Sequence, residues 1–168
     1  MKKLAMYLSM TLLATVLSTL ALASPTGNTG STYSFTLDGP QAAGDPNTGN
    51  TVLVTGSGSF DTAESGTVIG SGSFTILHSS GAVVSRGTWK ATAFVSFDSF
   101  GGFNPGTQGG VLNITVTLSP NVGAPVTGVS MTVTCRVKAP PNFTGAEGIT
   151  SGSFTHTIAG HTLFHLNE

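Results

Sequence analysis

The sequence predicts an all-β protein, a single antiparallel β-barrel or β-sandwich of about eight strands. Three observations carry that expectation. Apolar and hydroxyl-bearing residues alternate along most of the chain, the period-two signature of half-buried strands. Clusters of Gly, Pro, Asn and Asp interrupt the alternation at intervals of roughly 8–16 residues, the spacing of strands joined by turns. Beyond the N-terminal segment no window sustains a 3.6-residue period, so there are no helices to alternate with strands in a parallel sheet.

The first segment is of a different kind. Met1-Lys2-Lys3 precedes an apolar run from Leu4 to Leu22, and Ala21-Leu22-Ala23 stands directly before Ser24-Pro25. This reads as a secretory signal peptide over 1–23 with cleavage after Ala23; a retained membrane anchor is the rival reading, because the run is near spanning length. Cleavage leaves 145 of the 168 residues, one domain's worth of chain. The expected location is outside the cytoplasm: secreted, periplasmic or at the cell surface, with no further membrane span. Residues 24–31 read as a flexible leader and 32–168 as the β domain.

The strands come in order. Residues 32–38 set Tyr33, Phe35 and Leu37 on one face. Residues 39–50, with Pro40, Gly44, Asp45-Pro46 and Asn47-Thr48-Gly49, read as a long turn region. Strands are expected at 51–60, 67–78 and 82–97, then a second long connection over 98–110. Four more strands complete the set: 111–118 with Leu112, Ile114, Val116 and Leu118 inward, 126–137, 148–158 and 161–166. In the strand around Trp89 strict alternation places Ala91, Ala93, Val95 and Phe97 with the indole and leaves Phe94 on the polar side, which points to a bulge, a two-sided strand or a ligand contact, a bulge or partial burial being the commoner cause.

A Gly-Ser motif is written three times, as TGSGSFD at 55–61, IGSGSFT at 69–75 and TSGSFTH at 150–156. In the first two copies Gly56 and Gly58, and Gly70 and Gly72, share the face of Phe60 and Phe74. Inward glycines make room for a neighbouring ring or for tight coiling of a small sheet. The third copy keeps Gly152 and Phe154, so Gly152 is expected to face the core as well. A phosphate-cradling loop needs a helix directly after the glycines and, in its commonest form, a Lys; neither is present.

Charge narrows the partners. Charged residues make up 8% of the chain, and without Lys2 and Lys3 four Lys and Arg face seven Asp and Glu, a net −3. With no basic patch to neutralise phosphates, nucleic acid is not an expected partner. The single cysteine, Cys135, excludes an intrachain disulfide, and alternation puts its thiol on the apolar face as a small hydrophobe.

No constellation spells out a reaction. His161 and His165 share a strand face but stand about 13 Å apart, too far to share one ion, and the histidine spacing matches no familiar ligand set, so no metal and no cofactor are assigned. The acids fall mostly at turns, and GSGSF lacks the strand-to-helix setting of a nucleophile elbow. Asn113-Ile114-Thr115 and Asn142-Phe143-Thr144 match the glycosylation pattern, with Asn113 on a solvent face and Asn142 in a loop. His78 and His156 continue the Gly/Phe face beyond Ile76 and Phe154, so both are expected to line an interior. With Trp89, Phe60 and Phe74 they form the candidate ligand-binding set; no catalytic residue is assigned.

From Val52 to Phe97 the Gly-x-Gly-x-Phe strands followed by GTWKA resemble the middle of allene oxide cyclase and dirigent-type proteins. The resemblance covers under a third of the chain and implies an eight-stranded antiparallel barrel around an apolar pocket. The charged catalytic positions of those families find no counterpart here. The leading functional expectation is therefore a non-enzymatic β-protein that binds an apolar small molecule or serves in the cell envelope or extracellular matrix. A barrel-type cyclase or isomerase with one polar group from His78 or His156 is the second reading, and a self-assembling surface or fibre protein the third. An interior cavity of about 300 Å³ or more, with a histidine in its wall, separates the first two from the third.

Overall fold

The computed structural model describes residues 30–63, 65–103 and 106–167; the signal segment and most of the leader lie outside them. The described chain is all-β: β1 (Thr32–Gly44), β2 (Thr51–Asp61), β3 (Val68–Leu77), β4 (Val83–Gly102), β5 (Thr107–Pro120), β6 (Val126–Cys135), β7 (Gly148–Ser151), β8 (His156–Ala159) and β9 (Thr162–Asn167). All pairings are antiparallel. The order is β4-β3-β2-β1-β9-β5-β6-β7, with β4 also paired to β5 and β8 added to β1. The sheet thus curls back on itself into a ring, as expected for the barrel or sandwich class. Among the described residues no helix is long and apolar enough to cross a membrane.

Three expected boundaries move, each for a physical reason. The region 39–50 is not one turn, because β1 continues through Gln41 and Ala43, both fully buried. Pairing with β2 jumps from Leu37↔Gly56 to Gln41↔Val54, so Pro40 falls in the bulge, where no ladder hydrogen bond is required of it. The region 98–110 is likewise mostly strand, Gly101 facing Gly109 and Gly102 facing Gln108 across the β4–β5 hairpin. The stretch 148–158 is two strands, broken by a tight turn at Gly152-Ser153. Gly152 has φ +56° and its N–H bonds the Ser130 carbonyl at 3.0 Å; a glycine at the first central position is what a two-residue loop of the II′ kind requires.

β4 resolves the ambiguity over Phe94. Its register against β5 slips between Ala91 and Ala93, between Phe94 and Ser96 and again between Ser99 and Gly101. Each slip is one extra residue in β4, and each reverses the facing of the residues after it. Phe94 therefore turns inward, a second slip returns Phe97 to the inner face where alternation puts it, and Ala93 and Val95, expected beside Trp89 on that face, are exposed, Val95 to 61%.

The core fills the ring from Phe35 and Leu37 on β1 to Ile149 on β7 and Phe164 on β9. One end is aromatic. Phe60 has ring neighbours Tyr33 (5.2 Å), Phe94 (5.9 Å), Phe97 (4.8 Å) and, edge-on, Phe164 (6.0 Å). In β5 the inward set Leu112, Ile114 and Val116 is fully buried as expected. Cys135 is buried too, and that burial raises its thiol pKa.

The first two Gly-Ser copies form one symmetric hairpin, with Gly56 opposite Gly72, Ser57 opposite Ser71 and Gly58 opposite Gly70. Each glycine pair is a slot for a ring. A Cβ at Gly56 or Gly72 would stand 2.6 Å from the Trp89 indole, and one at Gly58 would stand 2.6 Å from Phe35. The serines face outward, where Ser73 and Thr55 share a 2.8 Å hydrogen bond. Trp89, seated in its slot, donates its indole N–H to the Thr55 carbonyl at 2.9 Å, which satisfies the one polar atom that its burial would otherwise strand.

Candidate functional site

At the end of the ring away from the aromatic cluster the packing leaves a gap that is partly open to the surface. A cavity of about 170 Å³ lies there between β2, β3, β4, β5 and β6. Its walls are Val52 and Val54, Phe74 and Ile76, the edge of Trp89, Leu118, and Val129 and Met131. The third Gly-Ser copy closes one side: the turn from Ser151 to Phe154 supplies the remaining lining residues. Ser151 and Phe154 exchange backbone hydrogen bonds across it at 3.0 and 2.9 Å.

Two further bonds fix that turn. The Ser153 hydroxyl donates to Asp45 at 3.0 Å. Asp45 in turn accepts the Asn47 N–H at 2.9 Å with its other oxygen, so one carboxylate both closes the β1–β2 loop and holds the turn. The Asn47 hydrogen bond lowers its pKa most; Ser153 and Thr48 add to this, and partial desolvation opposes it.

The five residues of the expected ligand set separate. Trp89 and Phe74 line the cavity. Phe60 is buried but belongs to the aromatic cluster. His78 and His156 are both exposed, contrary to the expected interior placement. His78 sits past the end of β3 in the turn to β4, and its ring is engaged by Ser80 at 3.0 Å. His156 comes just after the tight turn and lies on the outside of the sheet. Both departures have one origin: alternation in the sequence continues past positions where the strand stops, at Leu77 and at Ser151. Gly152, expected inward, is exposed for the same reason.

No histidine or charged side chain lines the cavity, and among the described residues no three of His, Cys, Asp and Glu gather closely enough to hold a metal ion. His161 instead pairs with Asp38 at 3.2 Å on the surface. Asn142 is exposed in its turn, whereas the Asn113 amide is held at both ends, donating to Ser96 at 3.0 Å and accepting from Thr132 at 2.7 Å.

Sequence reasoning missed Gln41. Its side chain is fully buried and donates to the His161 carbonyl at 2.9 Å, tying the β1 bulge to the start of β9. A Cβ at Gly160 would collide with its Oε1, and one at Gly148 would stand 3.3 Å from it; the only sequence signal was a glutamine among turn residues. No family model matches the chain, and comparison with curated proteins and with solved structures gives no match either.

Proposed function

We propose that this chain is an exported, non-enzymatic β-domain that holds a small apolar molecule inside its ring. One observation carries the reading: a cavity of about 170 Å³ whose lining is apolar apart from Ser151, Ser153 and backbone atoms. The pocket is partly open at the exposed Gly152-Ser153 turn, and in volume it is close to the apolar cavity of about 150 Å³ that takes benzene or xenon in another protein. The space is about half the 300 Å³ at the lower end of ordinary ligand sites and has no histidine in its wall, so it falls short of the expected ligand cavity on both counts and its occupant is limited to a single ring or a short branched chain. The lining offers hydroxyls and backbone groups but no acid or base, which favours retention of a ligand over its conversion. The likeness to allene oxide cyclase and dirigent-type barrels enters the proposal in the same sense, as a curled sheet around an apolar interior.

Trp89 is the only tryptophan of the chain and stands in the cavity wall, so its fluorescence reads occupancy directly. Titration with toluene, p-xylene and a monoterpene alcohol is expected to shift or quench the emission saturably with at least one of them. Val52→Leu, which fills the space, is expected to weaken that binding at least about tenfold while leaving the fold at least as stable. Saturable binding that survives Val52→Leu unchanged, or no response to any of the three, overturns the reading.

A further inference from the structure

A second concavity lies on the outer face of the sheet, with a lining richer in hydroxyls than that of the cavity although Val111, Phe143 and Ala146 also belong to it. β6 and β7 turn Thr134 and Thr150 toward it, and Thr155 and His156 enter it just after the tight turn. The loop between β6 and β7 folds over them and brings in Phe143, giving a groove of about 510 Å³. That volume falls within the roughly 300–1,000 Å³ of small-molecule sites.

The aromatic wall is preorganised. A reverse turn closes with the Phe143 N–H on the Pro140 carbonyl at 2.9 Å, and the ring packs edge-on against Phe100 with centroids 4.8 Å apart. A Cβ at position 145 would collide with the Phe143 ring, so Gly145 is what lets the ring lie where it does.

The polar groups beside that ring are uncommitted. Thr132 and Thr157 spend their hydroxyls on Asn113 and on the Ile149 carbonyl. Among the described residues the hydroxyls of Thr134, Thr150 and Thr155 and the ring of His156 have no hydrogen-bond partner in the protein. No Asp, Glu, Lys or Arg lines the groove. An ionic ligand would lose its hydration there without gaining a counter-charge. A purely apolar one would strand several donors and acceptors. What matches hydroxyls that both donate and accept, an imidazole and an aromatic ring is a neutral molecule dense in hydroxyls with an exposed C–H face. We propose that this groove is a binding site for a neutral saccharide.

The test is an NMR titration of the whole mature domain with maltohexaose, cellohexaose, xylohexaose and chitohexaose. At least one probe is expected to give saturable shifts in the amides of 143–146, 150 and 155–157 and none around Trp89. Phe143→Ala is expected to weaken that binding by about tenfold or more. Should its fold be disturbed, the double variant Thr150→Val, Thr155→Val tests the same groove from exposed and half-exposed positions. No saturable shift with any probe, shifts mapping elsewhere on the surface, or binding unchanged in a folded variant overturns the proposal. Because the groove and the cavity share no aromatic residue, failure here leaves the apolar-ligand reading standing, and the converse.

Discussion

Ser153 reaches across 108 residues of sequence to donate a 3.0 Å hydrogen bond to Asp45, and that bond anchors one wall of the apolar cavity to the β1–β2 loop. The carboxylate is stabilised in its ionised form, chiefly by the Asn47 N–H and further by Ser153 and Thr48. A folded-state pKa below the unfolded value contributes stability that is present above the ordinary Asp pKa of about 3.9 and is lost as the pH falls through the lower folded value. The turn is therefore expected to loosen below about pH 4. With the intrinsic pH dependence of exchange divided out, the protection of the 151–154 amides should fall there in the wild type. Asp45→Asn should remove that acid dependence, and Ser153→Ala should speed exchange at the turn at every pH.

The glycine slots make a sharper prediction than glycine content does. Gly72→Ala drives a Cβ into the Thr55 carbonyl and the Trp89 indole, and overpacking of that kind costs about 1–3 kcal/mol, more where backbone must move. Gly152→Ala meets no atom closer than 3.5 Å and should cost only the strain of a positive φ, about 1–2 kcal/mol. Urea melts of the two variants should therefore rank Gly72→Ala as the more damaging.

Phe60→Ala should destabilise by about 3–5 kcal/mol, the range for a buried phenylalanine, because it removes the centre of the aromatic end. Phe60→Leu restores most of the apolar volume and should recover a large part of that loss. Neither should alter the cavity, so apolar-probe binding by the folded fraction is expected to stay within about twofold.

Cys135 is buried, and burial raises its pKa, so the native thiol is expected to resist a thiol reagent at neutral pH until the chain is unfolded in denaturant. Cys135→Val should be tolerated better than Cys135→Asp, which buries a charge among Val133, Ile149 and their neighbours. Thermal melts of the two variants decide it.

The sequence was most legible where each residue's neighbours lie on the same uninterrupted strand. Phe35, Leu37, Leu112 and Ile114 faced inward as alternation demands, and the glycines of the first two repeats faced the rings. Phe94 and Val95 were unreadable in facing because a bulge is decided by the partner strand, not by local pattern. Gly152 and His156 were misplaced because the same four letters, Ser-Gly-Ser-Phe, make a strand when a matching strand lies opposite and a turn when Ser130 and Asp45 supply the partners. The groove beneath Phe143 was invisible because its parts come from three segments whose meeting is set only by the order of strands.

The slips of β4 at Ala91–Ala93, Phe94–Ser96 and Ser99–Gly101 have a consequence beyond the direction of a few side chains. Pairing with β3 ends at Lys90, so from there to Gly102 one side of β4 meets no strand among the described residues. A long regular edge of that kind would be a template for another molecule, and natural sheets commonly blunt such edges with lysines. This chain, with 8% charged residues, interrupts the edge by shape instead, since irregularities this closely spaced leave no run of donors and acceptors long enough to copy. Protection by shape is untouched by salt or proton concentration, so the domain's resistance to edge-to-edge association should hold across ionic strengths and pH values that would disarm a lysine-guarded sheet.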